Sequence, residues 1–566
     1  LTSLTKVEAS PIVERETLID RREIPGGNMD KIFINGNIQT MDPAIPQAEA
    51  VAVKNGLVVR LGNNREILQL QTPDTRVIDL QGNLLLPGFN DSHIHLLSYG
   101  YSLEKVSLGQ TRCVDDVIAE GRIFLEKHPD TRWLQGRGWN NEDWEVKAFP
   151  TRYDLDRIST EIPISFVRAC AHVIAVNSKA LEIMGIGKNP IQPEGGRIDV
   201  DQNGDPVGIF KEEARNLVYD AVPSLSEEDI RRMLLKGAAK LLECGITSVQ
   251  SDDLEAVAAS DYQKVLKVYL EMAEERSLPV RVYQQCLLPP LSRLREFFAL
   301  GYHWGQGNDL FRIGPLKLLG DGSLGGRTAY MSEPYADDPT TQGIHTFTQE
   351  ELDELIATAH DQGMPCAVHC IGDGQMYMTF ESIEKAMLRN PKPDMRHSLI
   401  HCQITDAQLL KKFRDLKVIA HIQPIFLNTD IAIVESRVGK EKARTSYNWR
   451  TLADTGVIYA CGSDSPVEHF DVMKNIYCAV TRKTLSGDPA GGWYPEQCLT
   501  VEQAVRGFTV NGAYASCEEN VKGSISVGKY ADFVLLEQDI FNMDPDAIKD
   551  VSVLMTVLNG EIVYEK

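Results

Sequence analysis

The sequence predicts an α/β protein: a distorted (β/α)8 TIM barrel with a small β-sandwich built from both chain termini. Three observations carry that expectation. Short apolar strands alternate with helical patterns through the middle of the chain, a strand-turn-strand texture marks both ends, and 566 residues suffice for one large core and a smaller one.

Residues 1–28 lack apolar periodicity and end in Pro25-Gly26-Gly27-Asn28, so they read as a leader or disordered arm. Over 29–87, the runs 31–35, 48–53, 57–60 and 76–79 alternate as strands. Asn35-Gly36 and Asn55-Gly56 punctuate them as two-residue hairpin turns, whose central residues need positive φ. The same texture returns at 529–536 and from Val551 to Tyr564, around Asn559-Gly560. Residues 29–87 and 506–566 are therefore assigned to one sandwich.

Residues 88–505 hold eight candidate barrel strands, at 87–95, 246–250, 280–283, 314–319, 366–369, 398–401, 418–423 and 458–464. Helical patterns such as Glu350 to Asp361 and Gln375 to Arg389 separate them. The gap between the first two is too long for one helix, so about 130–220 is expected to be an insertion. Its segment Pro163 to Arg168 would make a ninth strand if it were counted in the barrel.

Composition narrows the function. With 58 Lys plus Arg against 80 Asp plus Glu, the net charge is -22, which argues against a nucleic-acid partner. Eleven cysteines without a C-x-x-C pair indicate neither a disulfide framework nor a thiolate zinc cluster and suit a reducing cytoplasm. No apolar run approaches the roughly 20 residues that span a bilayer, and no secretion signal is evident, so no membrane association is expected.

His93 and His95 stand two apart on a strand, so both rings project from one face. With His369, His401 and Asp464 they fall at the C-terminal ends of expected barrel strands, where barrel enzymes gather their chemistry. Neutral imidazoles and a carboxylate suit Zn²⁺, with other divalent metals compatible on ligand type. Cys370 and Cys402 follow two of these histidines but alternate away, as core residues. Lys317 lies in the apolar run 313–319, where an ammonium requires either a partner such as Asp321 or conversion by carbon dioxide to a carbamate.

The set 87–95, Lys317, His369, His401 and Gly462-Ser463-Asp464 resembles the amidohydrolase superfamily. More narrowly, the strings Pro150-Thr151-Arg152, Asn177 to Leu181, Lys317 to Gly325, His369 to Asp373 and Tyr447 to Arg450 are similar to the YtcJ-like branch that includes N-substituted formamide deformylase. The resemblance implies that His93 and His95 hold one metal, that His369 and His401 hold a second, and that Lys317, N-carboxylated, bridges them. It makes Asp464 both a ligand and the catalytic proton carrier. The chain departs from the branch at Ile400, where Glu is usual, and at His421, where a small residue is usual.

The implied activity is hydrolysis of a non-peptide C–N bond, in an N-substituted amide or formamide, by attack of a metal-bound hydroxide on one or two zinc ions. A cyclic amide hydrolase or an amidine deaminase would use the same site, and a catalytically silent regulatory or binding protein could keep the same fold. The expected partner is a small-molecule substrate, and a homodimer is the family's habit. The insertion is expected to shape the pocket, with His172 first among its contacts and Trp139, Trp144 and Arg168 as further candidates. Asp321, Arg327 and Gln423 are the candidates from the barrel rim. Asp199-Val200-Asp201-Gln202-Asn203-Gly204 matches half a calcium loop, but Phe210 stands where its final Glu belongs, so a hairpin without calcium is expected.

Overall fold

The computed structural model describes residues 29–255 and 261–566. The arm expected over 1–28 lies outside the described residues.

Eight strands form a parallel sheet in sequential order: Phe89–Ile94, Ile246–Ser251, Arg281–Leu287, Phe311–Leu319, Cys366–Cys370, Ser398–His401, Ile419–Ile422 and Tyr459–Cys461. The last strand returns to the first: the Asp464 N–H donates to the His93 carbonyl at 2.8 Å and the Ser463 N–H to Asp91 Oδ1 at 3.0 Å. The result is a nearly closed barrel. Its strands are buried along almost their whole length, with polar residues such as Asn90, Gln250 and Gln284 buried among the apolar ones. Helices between them bury one stripe each. In Gln349–Asp361 that stripe is Leu352, Leu355, Ile356 and Ala359, and Thr348 with Glu351 caps the start reciprocally.

The chain ends make the sandwich. Lys31–Ile34, Ala50–Lys54, Leu57–Gly62 and Arg76–Asp79 form one sheet. Leu84–Pro87 and two short strands join Phe533–Leu536, Val553–Leu558 and Glu561–Glu565 in the other, around a core that includes Phe33, Leu85 and Phe533. Asn55-Gly56 and Asn559-Gly560 close hairpins with both residues at positive φ. Asn35-Gly36 does not. Only Asn35 is left-handed, and the turn carries the chain from one sheet to the other. The sandwich strands resume at Phe533 rather than at 506, because the helix Val510–Ala515 packs on the barrel: Asn511 donates to the Tyr459 carbonyl and Gln250 to that of Gly512.

Between barrel strands one and two the chain builds a separate six-stranded sheet, in the order Gly196–Val200, Pro206–Glu212, Val173–Val176, Ile164–Arg168, Leu134–Trp139, Val106–Ser107. Ile164–Arg168 therefore lies outside the barrel. The sheet begins at Val106, earlier than the expected 130, because a two-residue strand gives no periodic signal. The 199–204 segment is a hairpin turn in which Asp201 Oδ1 accepts the N–H groups of Asn203 and Asp205 and Gly204 takes φ +81.

Candidate metal centre

The C-terminal ends of strands one, four, five, six and eight converge on one buried spot. His93 is the fifth residue of strand one and His95 follows that strand. His93 Nε2 stands 3.3 Å from Asp464 Oδ1 and 3.3 Å from Lys317 Nζ, and His95 Nε2 stands 3.0 Å from the same Oδ1. The His401 ring centroid lies 5.5 Å from that of His93 and 4.3 Å from that of His369. His93, His401 and Asp464 by themselves have ligand atoms all within 4.8 Å of one another. His401 and Asp464 take positive φ, 77° and 60°, a backbone strain held in place by the surrounding packing.

Each imidazole is oriented from behind by an oxygen acceptor on Nδ1. Gln285 Oε1 takes that of His93 at 2.7 Å, the Asp252 carbonyl that of His95 at 2.9 Å, Asp321 Oδ1 that of His369 at 2.9 Å and Gln423 Oε1 that of His401 at 2.9 Å. An oxygen acceptor fixes the hydrogen on Nδ1, which leaves the Nε2 lone pair free for a cation. Four imidazole nitrogens and a carboxylate, with Lys317 beside them, make a donor set that suits a divalent ion of the zinc type, which would displace any hydrogen left on Nε2.

The electrostatics favour the neutral ring at His93 and His401, whereas His95 without a cation is held protonated against Asp464. Burial, reinforced by the Lys317 charge, lowers the pKa of His93 to about 4, and burial with the neighbouring His369 charge holds His401 well below its usual value. For His95, burial would lower the pKa, but the Asp464 carboxylate outweighs it and raises the value to about 9. Burial pushes Asp464 up, yet the hydrogen bonds of His93 and His95 prevail and keep it well below the ordinary carboxylate range. Lys317 is 1% exposed. Burial lowers its pKa, opposed by Asp252, whose Oδ2 is 3.8 Å away.

The other sequence candidates fall elsewhere. Asp321 is saturated behind His369: its two oxygens also accept the N–H groups of Tyr330, Ile371 and Gly372. Gln423 is committed to His401. Arg327 forks onto Asp337 at 3.0 and 3.1 Å. Trp139 is fully buried in the insertion core, its indole N–H on the Phe166 carbonyl, and Trp144 is buried beside it, so neither forms a pocket wall. Arg168 ties down Asn140 and Asn141. His172 is more than half exposed and pairs with Glu212. His421 is buried with Nδ1 unpartnered, and burial, with the His93 and Lys317 charges, lowers its pKa to about 3. Gln285 and Asp252 are the residues that sequence reasoning missed. A polar residue at an inward strand position was their only signal.

A nearly closed barrel with imidazoles, a carboxylate and a lysine at its C-terminal rim defines the metal-dependent hydrolase class. The Amidohydrolase family model matches residues 76–564, and the chain belongs to that family. It is 33% identical to the YtcJ protein of Bacillus subtilis strain 168 over 95% of this chain and 100% of that one. It is 26% identical to the N-substituted formamide deformylase of Arthrobacter pascens, over 95% and 98%. The solved structure of an uncharacterized metal-dependent hydrolase from Pyrococcus furiosus superposes with a TM-score of 0.74 at 27% identity, covering 90% of this chain and 100% of that one.

Proposed function

We propose that this chain hydrolyses a non-peptide C–N bond, in an N-substituted amide or formamide, at a zinc centre held by His93, His95, Lys317, His369, His401 and Asp464. The observation that carries the reading is the set of four imidazoles at one rim, each with Nδ1 held by an oxygen acceptor, with ligand atoms of His93, His401 and Asp464 within 4.8 Å of one another and His95 Nε2 3.0 Å from Asp464 Oδ1. A held divalent cation supplies Lewis acidity toward a carbonyl and lowers the pKa of a coordinated water to about 7.

The chain's own groups do the rest. Asp464, kept ionised by its histidines, accepts the proton of the attacking water and returns it to the departing nitrogen, without which an amine anion could not leave. Burial favours the neutral amine of Lys317, the form that adds to carbon dioxide. A new N–C bond then forms, one proton is released, and the resulting carbamate offers two oxygen ligands. Eleven free cysteines support a cytoplasmic setting, and no described helix is long and apolar enough to cross a membrane.

Metal content per chain, followed by hydrolysis of an N-substituted formamide panel before and after His93→Ala, tests the proposal. Metal bound by the parent chain, with metal and turnover both lost in the variant, is expected. Metal-replete protein inert to every C–N substrate would point instead to a silent binding protein.

A further inference from the structure

A cavity of about 890 Å³ opens between the barrel rim and the insertion sheet. One wall reaches Pro466, two residues past Asp464, and Ser98, on the helix Leu96–Ser102 that starts directly after His95. Lys105 and Arg137 also line the cavity. In a chain with 80 acids against 58 bases, this cavity is lined by two cations and no Asp or Glu.

The two cations are held but not neutralised. Lys105 Nζ sits 3.7 Å above the Tyr101 ring, and the Tyr101 hydroxyl is anchored on Gln135 Oε1 at 2.8 Å. Gln135 and Arg137 are two apart on Leu134–Trp139 and both line the cavity. Neither Lys105 nor Arg137 has a carboxylate within salt-bridge distance among the described residues. The pairing of Val106 with Gly136 and of Ser107 with Arg137 sets the two cations on adjoining segments, and burial, then the Arg137 charge, lowers the Lys105 pKa to about 8. An arginine fork beside an ammonium, in a cleft with Tyr101, Tyr219 and Leu225 as its less polar walls, matches a carboxylate on an apolar body.

We propose that this cavity is a carboxylate subsite, with Lys105 and Arg137 as recognition residues, and that the substrate is an amide or formamide carrying a carboxylate away from the scissile bond. The substrate half of this inference rests on the C–N hydrolase reading, whereas carboxylate binding does not.

The test uses N-benzylformamide with a para-carboxylate and its neutral para-carboxamide twin. Binding of both to the metal-loaded protein is measured by calorimetry, and turnover separately. The carboxylate is expected to bind at least about tenfold tighter, as charge-assisted hydrogen bonds allow. That ratio should fall to about one in Lys105→Met and in Arg137→Gln. It should also fall in Ser107→Asp, which places an acid beside Arg137 in the strand register without removing either cation. Equal binding of the twins by the parent chain, or a preference that survives all three substitutions, overturns the subsite. Selective binding with neither twin cleaved leaves the subsite standing and defeats the hydrolase reading. Cleavage of both with equal kcat/KM and equal affinity does the reverse.

Discussion

Replacing Gln285 by Leu is expected to weaken the metal centre without touching a ligand. Gln285 is fully buried, its Oε1 holds the Nδ1–H of His93 at 2.7 Å, and its own amide is anchored on the Ser92 carbonyl at 3.2 Å. His93 is 1% exposed, so water does not substitute for the lost acceptor. The imidazole then has two options. It can keep Nδ1–H unpartnered, at a cost of about 1–3 kcal/mol for a buried donor. It can instead move the hydrogen to Nε2, which removes the lone pair facing Asp464 and Lys317. Either way the ligand is lost in part, and an affinity drop of about 10–100-fold follows, equal to about 1.4–2.7 kcal/mol. Competition against a chromophoric zinc chelator measures it, with Gln423→Leu behind His401 as the parallel case. Unchanged zinc affinity in Gln285→Leu, with the fold intact by circular dichroism, would refute the argument that these acceptors set the tautomers.

Three further outcomes follow from the packing. Beneath strands five and six, the Cys366 N–H donates to His397 Nδ1, His397 Nε2–H to His360 Nδ1, and His360 Nε2–H to the Asn390 carbonyl, a chain that needs both rings neutral. Burial, then His360, lowers the His397 pKa from 6.5 to about 3. Its contribution to stability is therefore complete above pH 6.5 and is lost as the pH falls toward 3, by up to about 1.4 kcal/mol per unit. A His360→Leu/His397→Leu double variant should show a flatter Tm-versus-pH curve over that window, and an equal slope would count against the pair. Arg281→Met strands the buried Asp532, which it grips at 2.7 and 3.0 Å, and is expected to cost about 3–5 kcal/mol in urea unfolding, partly recovered by Arg281→Met/Asp532→Leu. Trp139→Phe should lower Tm and leave the KM of any substrate in place, because the indole is core and not pocket wall.

The barrel and the gathering of His93, His95, Lys317, His369, His401 and Asp464 at one rim were legible because both follow from periodicity: residues at parallel strand ends share one rim, and His93 and His95 share one face. What surrounds the ligands was not. Gln285, Asp252 and Gln423 are polar residues on or beside strands, and nothing in one strand's sequence says which neighbour's ring they meet across the barrel. Asp321 was read as a substrate contact or a lysine partner, yet it serves His369, because the chain after strand four folds over strand five. Aromatic content misled at Trp139, where the insertion needed a core of its own. The same reason hid Lys105 and Arg137: their meaning comes from the acids missing around them, and that absence exists only once Val106–Ser107 pairs with the strand that carries Arg137 and sets two distant cations on one wall. On the proposed reading, selectivity is a property of the contact between insertion and rim, and substitutions there are expected to change which substrate is taken while metal binding stays constant.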